Sequence, residues 1–307
     1  MSAPLSRSTR PALRRAPALV LAGALALSLA ACGDEDSSPT ASSPAPSVSV
    51  DAALAAKVPA SVKADGKILV GSDTSYAPSE FLDADGSTVK GFDVDLFKVV
   101  AAKLGLKAEF QSSVFDTIIA GVSSGKYEVG VSSFTINADR LKQVNMVSYF
   151  SAGTLWATPA GNPAGVSIEE PCGKKIAVQK GTVQVDDITA RSKKCTDAGK
   201  PAVTIDQYQG QDQATTAVVT GKDEAMLADS PVTAYAVQQT NGKLALLGDI
   251  YDSAPYGYVV PKDQADFAEA LAGAVKAAIA DGSYAAALKT WGVESGAITD
   301  PAVNPAP

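Results

Sequence analysis

The sequence contains no histidine, and only three of its 307 residues are cysteine and two are tryptophan. Without histidine, neither a Ser-His-Asp nor a Cys-His catalytic arrangement can form, and metal sites built on imidazole are excluded. The phosphate-binding pattern GxxxxGK[ST] is also absent from the chain. These arrangements are therefore excluded. Separately, we expect a protein that needs neither a metal nor a cofactor and that is not an enzyme.

Arginine is scarce in most of the chain. After Cys32 there are twenty lysines but only two arginines, Arg140 and Arg191. Lysine therefore supplies the general positive charge, which leaves arginine for a role that needs its planar fork of N–H donors. The four other arginines lie within the first 31 residues, and the rest of the chain carries 22 basic against 33 acidic residues, a net charge of −11. Such an acidic body argues against nucleic acid as a partner.

Long hydrophobic runs are lacking apart from a short one near the N-terminus, Ala18–Leu29. This run follows basic residues and is typical of a secretory signal, which we place at residues 1–32. Its end, Leu-Ala-Ala-Cys, resembles a lipobox, so Cys32 is predicted to become a lipidated N-terminus; the alternative is a plain cleavage site with a chance cysteine. Since no other run reaches the about 18 apolar residues of a membrane span, membrane contact is predicted to pass through this lipid anchor.

The segment that follows the signal, residues 33–64, begins with a stretch rich in serine, proline and alanine. A stretch of this composition cannot bury a core. We therefore predict that residues 33–64 form a disordered tether, although Asp51–Asp65 can be partly helical.

Two cysteines remain besides Cys32, at Cys172 and Cys195. In an exported protein such a pair most simply forms a disulfide. Two free thiols are the alternative.

From Lys67 onward the chain alternates short apolar strands with helical patterns, and the alternation restarts at Lys175. Such a pattern indicates an α/β fold with a mostly parallel sheet covered by helices. Two units imply two lobes, and two apolar runs, Thr154–Ala157 and Tyr256–Val260, are predicted as the hinge strands between them. We assign residues 65–154 and 256–299 to lobe 1, residues 155–255 to lobe 2 and residues 300–307 to a frayed tail.

The most informative segment is Ser132–Arg140, which lies between a strand-like run and a short helical pattern. A strand that turns into a helix presents free backbone N–H groups, which favour an anion. Arg140 adds a guanidinium fork that matches a carboxylate. Hydroxyl and carbonyl oxygens that can accept from an ammonium group belong to Ser132, Ser133 and Thr135. The segment could hold both charged groups of a free α-amino acid; alternatively, Asn137 simply caps the helix and Arg140 is a solvated surface charge.

This segment, SSFTINADR, resembles the S-[SG]-x-[ST]-I-T-x-x-R segment of the amino-acid-binding proteins of ABC importers, the bacterial extracellular solute-binding proteins of family 3, polar amino acid type. The resemblance extends from about Lys67 to about Ile298, because further motifs occur in the order and at the spacing of the family. It implies a periplasmic-binding-protein-like fold, with two α/β lobes joined by two hinge strands.

Two further motifs of the first lobe carry the resemblance. Gly71–Phe81 is similar to G-x-D-x-x-Y-x-P-F-E-F, which implies that Asp73 faces the side chain of the ligand and that Tyr76 covers its aliphatic part. The sequence departs from this pattern at Ser79, where the family commonly has phenylalanine. Phe115 lies in a segment similar to [FW]-D-x-L-I, and by resemblance it is the opposing aromatic wall. Without the resemblance, the simpler interpretation is that both aromatic side chains are core residues and that Asp73 forms a turn.

In the second lobe, VQKGTVQ from Val178 resembles V-x-x-G-[ST]-T-x, a strand that leads into a helix. Its first N–H groups, at Thr182 and Val183, can reach the carboxylate that Arg140 holds, and Gln179 would border the ligand side chain. Val183 replaces the threonine of the family, so that a hydroxyl contact is lost.

The acidic residue that the family carries after the next strand corresponds to Asp229. Pro231 favours the first turn of a helix, so Ser230 is predicted as the N-cap. Asp229 would then be free to face the cleft and bind the ammonium group of the ligand. The alternative is that Asp229 is itself the cap.

We therefore predict a monomeric, lipid-anchored receptor on the outer face of the cytoplasmic membrane. It would bind a free, polar or basic L-amino acid between two closing lobes and deliver it to the permease of an ABC importer. The resemblance leaves two alternatives open. One is an exported dehydratase acting on arogenate or prephenate on the same fold, and the other is an amino-acid sensor.

Overall fold

The structure is a computed structural model that describes residues 49–306 of the chain. The predicted signal peptide, the predicted lipidation site Cys32 and residues 33–48 of the predicted tether lie outside the described residues.

The described residues form ten α-helices and eleven strands. The helices are α1 (Ala52–Lys57), α2 (Ala60–Lys63), α3 (Phe92–Lys103), α4 (Phe115–Ser123), α5 (Ala138–Gln143), α6 (Val183–Asp197), α7 (Gln211–Val219), α8 (Ser230–Gln239), α9 (Ala265–Ala280) and α10 (Ser283–Trp291). The strands are β1 (Lys67–Ser72), β2 (Ser75–Tyr76), β3 (Glu80–Leu82), β4 (Val89–Lys90), β5 (Lys107–Ser112), β6 (Val129–Gly130), β7 (Asn145–Pro159), β8 (Lys175–Gln179), β9 (Thr204–Tyr208), β10 (Ala225–Asp229) and β11 (Leu244–Val260).

Eight of these strands form one mixed sheet in the order β5-β1-β6-β11-β7-β10-β8-β9. The strands on each side of the centre are parallel to one another, β1 with β5 and β6, and β8 with β9 and β10. The two long central strands, β7 and β11, pair antiparallel along almost their whole length. They connect the two sides of the sheet, as the sequence predicts for two hinge strands.

Two hydrophobic cores lie on either side of this central pair. We call β1–β6, α3–α5, α9 and α10 the first half, whose main core includes the fully buried Phe97, Phe267 and Leu271. We call β8–β10 and α6–α8 the second half, whose core includes Ile176 and Leu227. Separate cores allow each half to move as a unit about the central strands. The exact limits of the two lobes stay a prediction.

The predicted tether is wrong at its C-terminal end. Asp51 caps α1 by accepting hydrogen bonds from the backbone of Ala53 and Leu54, at 3.0 and 3.1 Å. Val58 and Val62 are 2% exposed and belong to the core of the first half. Residues 51–63 therefore fold onto the first half, because their few apolar side chains find a core that is made by distant parts of the chain.

The predicted frayed tail is also wrong. The backbone carbonyl of Ala302 accepts from Ser148 at 2.9 Å, and the backbone N–H of Asn304 donates to Met146 at 2.7 Å. The tail thus supplies partners for backbone groups of β7, and a buried backbone group without a partner would be costly.

Cys172 and Cys195 form a disulfide, with Cα atoms 5.5 Å apart, as predicted. The bond ties the loop before β8 to the last turns of α6. Within residues 49–306, no helix combines the length and the apolar character that a membrane span requires.

Candidate functional site

A small cavity lies between the two halves, where several strands of the sheet end, and its volume of about 10 Å³ is room for about one water molecule. The first half contributes loops that follow β1 and β6 and the starts of α4 and α5. The second half contributes the start of α6 and the end of β10. The residues that line the cavity are Tyr76, Phe115, Ser133, Thr135, Arg140, Thr182, Val183, Gln184 and Asp229.

Arg140 enters this cavity from the first turn of α5. Asn137 caps the helix, because its side-chain oxygen accepts from the backbone N–H of Arg140 at 2.9 Å. The guanidinium donates to the carbonyl of Thr135 at 2.7 Å and, across the cleft, to the carbonyl of Gly181 at 3.1 Å. Since Arg140 is only 8% exposed, the alternative of a solvated surface charge is wrong, although the capping role of Asn137 is confirmed.

The surroundings of Arg140 leave its charge uncompensated by a direct ion pair. Its guanidinium carbon lies 5.4 Å from the ring centroids of Phe115 and of Phe134, an arrangement that favours a cation. Burial lowers the pKa of Arg140 to about 10, so the group stays charged at neutral pH. A buried fork of this kind can bind a ligand carboxylate.

Asp229 reaches the same cavity from the second half, at the end of β10. It occupies the N-cap position of α8, so the prediction that Ser230 is the cap is wrong, but its carboxylate does not cap the helix. The carboxylate instead accepts from the side-chain amide of Gln184 at 2.8 Å. Burial raises the pKa of Asp229, as expected for an acid that is 5% exposed. The carboxylate therefore faces the cleft, where it can bind a cationic group.

Arg140 and Asp229 are thus two buried, oppositely charged groups on the two sides of one cavity. Neither takes part in any of the ion pairs within 4.0 Å that occur between residues 49 and 306. Buried charges are costly unless they are paired. A ligand that carries one negative and one positive group would pair both of them at once.

The predicted aromatic walls both line the cavity. Tyr76 and Phe115 are 5% and 8% exposed. Phe115 also stacks on Phe134, with ring centroids 4.6 Å apart, and the hydroxyl of Tyr76 accepts from the backbone N–H of Asp229 at 3.2 Å. Both side chains are therefore core residues and cavity residues at the same time. Their role as a sandwich around a ligand stays a prediction.

Thr182 and Val183 lie where α6 begins. Thr182 occupies the N-cap position, but its hydroxyl donates back to the carbonyl of Gln179 at 2.7 Å and does not cap the helix. The first N–H groups of a helix have no partner within the helix, so the start of α6 offers donors to an anion in the cavity.

Asp73 and Gln179 do not line the cavity in this conformation. One carboxylate oxygen of Asp73 accepts from the backbone N–H of Phe115 at 3.0 Å and from the side-chain amide of Gln179 at 2.7 Å. The other accepts from the backbone N–H and the hydroxyl of Ser75 at 2.9 and 2.6 Å. Asp73 thus joins the two halves, and its predicted contact with a ligand side chain stays a prediction.

The hydroxyl groups of the serine segment, which we define as Ser132–Thr135, do not all face a ligand as the sequence suggests. Ser132 is 1% exposed and lies outside the cavity lining, because its hydroxyl donates to Glu80 at 2.9 Å and accepts from the backbone of Asp73 at 3.0 Å. Ser133 lines the cavity with a left-handed backbone at φ 49°. Its N–H and hydroxyl both donate to Asp93, at 3.0 and 3.2 Å. The carbonyls of Phe134 and Thr135 already accept from Gly257 and Arg140. This leaves the hydroxyl of Thr135 as the side-chain group for an ammonium group.

Two residues of the site escape sequence reasoning. Gln184 orients Asp229 and also donates to the hydroxyl of Thr154 in β7, at 3.1 Å. Its position as the second residue of the helix that the motif begins is the only sequence signal for this role. Gly181 has φ +80°, and a Cβ atom there would lie 2.8 Å from the Cβ of Asp116 in the first half. Only glycine therefore allows this close approach of the two halves.

The halves are in direct contact in this conformation. Besides the bonds of Arg140 and Asp73, the backbone N–H of Gln211 donates to the hydroxyl of Ser75 at 3.0 Å. Lys180 and Asp116 form an ion pair of 2.9 Å at the rim. The structure therefore represents a closed arrangement with a narrow internal cavity.

Comparisons with known proteins agree with this geometry. The family "Bacterial extracellular solute-binding proteins, family 3" matches residues 68–294. The chain is 33% identical over 255 residues to the arginine-binding protein ArgT of Corynebacterium glutamicum, covering 83% of each chain. A solved ancestral arginine-binding protein bound to arginine is 32% identical with a TM-score of 0.68, covering 74% of this chain and 98% of that one. Another, the ancestral amino acid-binding protein AncCDT-1, a precursor of cyclohexadienyl dehydratase, is 29% identical with a TM-score of 0.65, covering 75% and 97%.

This chain belongs to the family 3 bacterial extracellular solute-binding proteins. The family and the two-lobed fold that the motifs predict are thereby confirmed. The relatives named above are binding proteins rather than enzymes.

Proposed function

We propose that this protein is the amino-acid receptor of an ABC importer, which binds one free α-amino acid between its halves and delivers it to the permease. The observation that carries this proposal is the placement of Arg140 and Asp229 on opposite sides of one cavity, both buried and without an ion-pair partner. The guanidinium fork would take the α-carboxylate, together with the N–H groups at the start of α6. Asp229 would take the α-ammonium group.

The ligand that we propose is a basic amino acid, with L-arginine first. The relatives reported above include arginine-binding proteins. In the cavity itself, the faces of Tyr76 and Phe115 suit a planar cationic side chain. Asp73 provides a buried carboxylate behind them that has no cation beside it, since its bonds come from neutral donors.

Binding would act by closing the molecule. Because the cavity is built from both halves, a ligand makes its full set of contacts only in the closed arrangement, and it shifts the population toward that arrangement. The permease would then recognise the closed form, in which the outer surfaces of the two halves have a fixed relation.

Replacement of the guanidinium fork with a simple ammonium tests the proposal. Arg140→Lys keeps the charge but loses the paired donors, so we expect the affinity for L-arginine in isothermal titration calorimetry to fall by about 10- to 100-fold. Arg191→Lys is the matched control, because Arg191 does not line the cavity and forms an ion pair with Asp187, at 2.8 Å. The affinity of this variant for L-arginine should match that of the unchanged protein. If no amino acid binds the unchanged protein, or if both variants bind alike, the assignment fails.

We further propose that the mature protein is a monomer held at the outer face of the cytoplasmic membrane by a lipid on Cys32. The sequence Leu-Ala-Ala-Cys at the end of the apolar run supports this proposal. The Cys32→Ala variant should appear in the medium rather than in the membrane fraction. Membrane retention of that variant would contradict lipid anchoring without affecting the binding assignment.

The dehydratase alternative has less support. It needs a carboxyl proton donor in the cleft, whereas Asp229 is the only carboxylate that lines the cavity in the described part of the chain. Turnover of arogenate by the purified protein would favour it nevertheless.

A further inference from the structure

A pair of fully buried acids, Glu80 and Asp93, lies directly beneath the serine segment of the binding site. Both residues are 0% exposed. Glu80 accepts from the hydroxyl of Ser132, whereas Asp93 accepts from the backbone and hydroxyl of Ser133. Neither residue contacts the cavity, and ligand binding as proposed above does not use them.

Close backbone contacts hold the segment of Glu80 against the segment of Asp93. The N–H of Asp93 donates to the carbonyl of Ser79 at 3.1 Å. Gly91, which lies between β4 and α3, has φ +138°. A Cβ atom at this position would lie 2.0 Å from the carbonyl oxygen of Ser79. The start of α3 is thus pressed against the start of β3, and the two acids bond to the neighbouring residues Ser132 and Ser133.

The hydrogen bonds from neighbouring groups reach only two of the four carboxyl oxygens, Oε1 of Glu80 and Oδ2 of Asp93. One oxygen of each acid, Oε2 of Glu80 and Oδ1 of Asp93, is buried and has no partner within the described residues. A proton shared between these two oxygens would give each of them a partner. Two carboxylates cannot bond to each other unless one of them carries a proton.

Within residues 49–306, no ion pair includes Glu80 or Asp93. The remaining partner of Asp93 is the hydroxyl of Tyr149 in β7, at 2.5 Å, and the other titratable groups nearby are Asp73, Tyr76 and Tyr258. Two negative charges here would therefore face only acids, phenols and serines in a dry environment, which is very costly. Burial and the neighbouring Asp93 raise the pKa of Glu80 well above its ordinary value, and burial raises that of Asp93 to about 6.

We propose that Glu80 and Asp93 hold one proton between them, with Glu80 as the neutral donor and Asp93 as the carboxylate, and that this pair positions the ligand-binding segment. Asp93 fixes Ser133 in its left-handed conformation, which non-glycine residues rarely adopt. That conformation directs the chain to Thr135, whose carbonyl orients Arg140. The two acids are positioning residues, and this role rests on the proposed function of the cavity.

The substitution Glu80→Gln tests whether Glu80 is protonated, because glutamine resembles the neutral acid and cannot carry a negative charge. A glutamine amide can still donate to Asp93 and accept from Ser132, so we expect this variant to bind L-arginine within about twofold of the unchanged protein. Asp93→Asn loses the charged acceptor of Ser133 and Tyr149, and its affinity should fall by at least about tenfold. Comparable losses in both variants would overturn the assignment of the proton to Glu80.

Infrared spectroscopy of the unchanged protein at neutral pH tests the proton without any ligand. We expect the carbonyl band of a protonated carboxyl group, which disappears in Glu80→Gln and persists in the control Glu109→Gln, whose carboxylate pairs with Lys67 at the surface. The absence of this band from the unchanged protein overturns the proposal, even if Asp93→Asn does not fold. Should the protein bind no amino acid, the function proposed above fails while the infrared result still decides whether the proton is shared.

Discussion

Arg140 and Asp229 each occupy a position where an ionised side chain is costly for folding. Both are buried, and neither belongs to an ion pair of the described residues. Such charges persist in a protein when they serve another purpose, and here they would serve the two charged groups of a ligand. Each residue therefore offers a test in which stability and binding change in opposite directions.

We expect Asp229→Asn to bind L-arginine at least about tenfold more weakly, because the ammonium group loses its charged acceptor. The same change removes a buried charge, so the ligand-free protein should gain stability on the order of 1 kcal/mol in urea unfolding. Asp252→Asn, on an exposed part of β11, is the control and should change neither quantity. Equal affinity of Asp229→Asn and the unchanged protein would exclude Asp229 from the site.

The raised pKa of Glu80 should make the free energy of unfolding depend on pH. Its pKa is raised in the folded state, so above the ordinary value near 4.5 the unfolded chain loses this proton while the folded protein keeps it. The free energy of unfolding should therefore fall as the pH rises from about 4.5, by about 1.4 kcal/mol per pH unit for one proton. Glu80→Gln should flatten the curve by that amount, and an unchanged slope in urea unfolding between pH 5 and pH 8 would contradict the raised pKa.

Residues with a distinctive chemistry are predictable from the sequence. The residues that orient them through hydrogen bonds are not. Arg140 is predictable because arginine is rare in this chain and because it lies at the start of a helical pattern. Gln184 was missed, and so was the pair of Glu80 and Asp93. Their roles depend on which segments meet in three dimensions, and no local pattern carries that information. For the same reason, the hydroxyl of Ser132 was assigned to the ligand although it faces Glu80.

At the scale of elements, the helices and strands of the sheet followed from hydrophobic patterns, since each buries one face in a core. The hinge strands were recognised from apolar runs that are much shorter than the 15 and 17 residues of β7 and β11. The failures lie at the ends of the domain, where α1, α2 and the C-terminal tail dock on surfaces built from distant segments. Composition alone cannot show whether such a docking surface exists.

The start of α6 is the element in which close approach of the halves can be tested. Gly181→Ala should weaken binding of L-arginine by about tenfold, because its Cβ would press against Asp116 when the cleft closes. Gly221→Ala is the matched control, since it has φ +77° but no atom within 4 Å of the added carbon. Calorimetry and urea unfolding should give similar losses of stability for both variants but a loss of affinity for Gly181→Ala alone. Similar affinities would mean that closure does not require this contact.

At the scale of the whole molecule, two halves with separate cores are connected by one long antiparallel pair of strands. Contacts between the halves include polar pairs, such as those of Asp73 with Gln179 and of Lys180 with Asp116, and a small apolar cluster of Tyr76 with Ala228 and Val232. An interface of this kind can open at moderate cost. A ligand that joins the two buried charges would then stabilise the closed arrangement.

The most direct test of a site with two opposite charges is a calorimetric titration of the unchanged protein with L-arginine and with two analogues. Each analogue lacks either the α-carboxylate or the α-ammonium group. Decarboxylated arginine has no partner for Arg140, and N-acetyl-L-arginine has no ammonium group for Asp229. We expect L-arginine to bind at least about 100-fold more tightly than either analogue, since each loses a charge-assisted contact in a buried site. Equal affinities for all three compounds would contradict a site with two opposite charges.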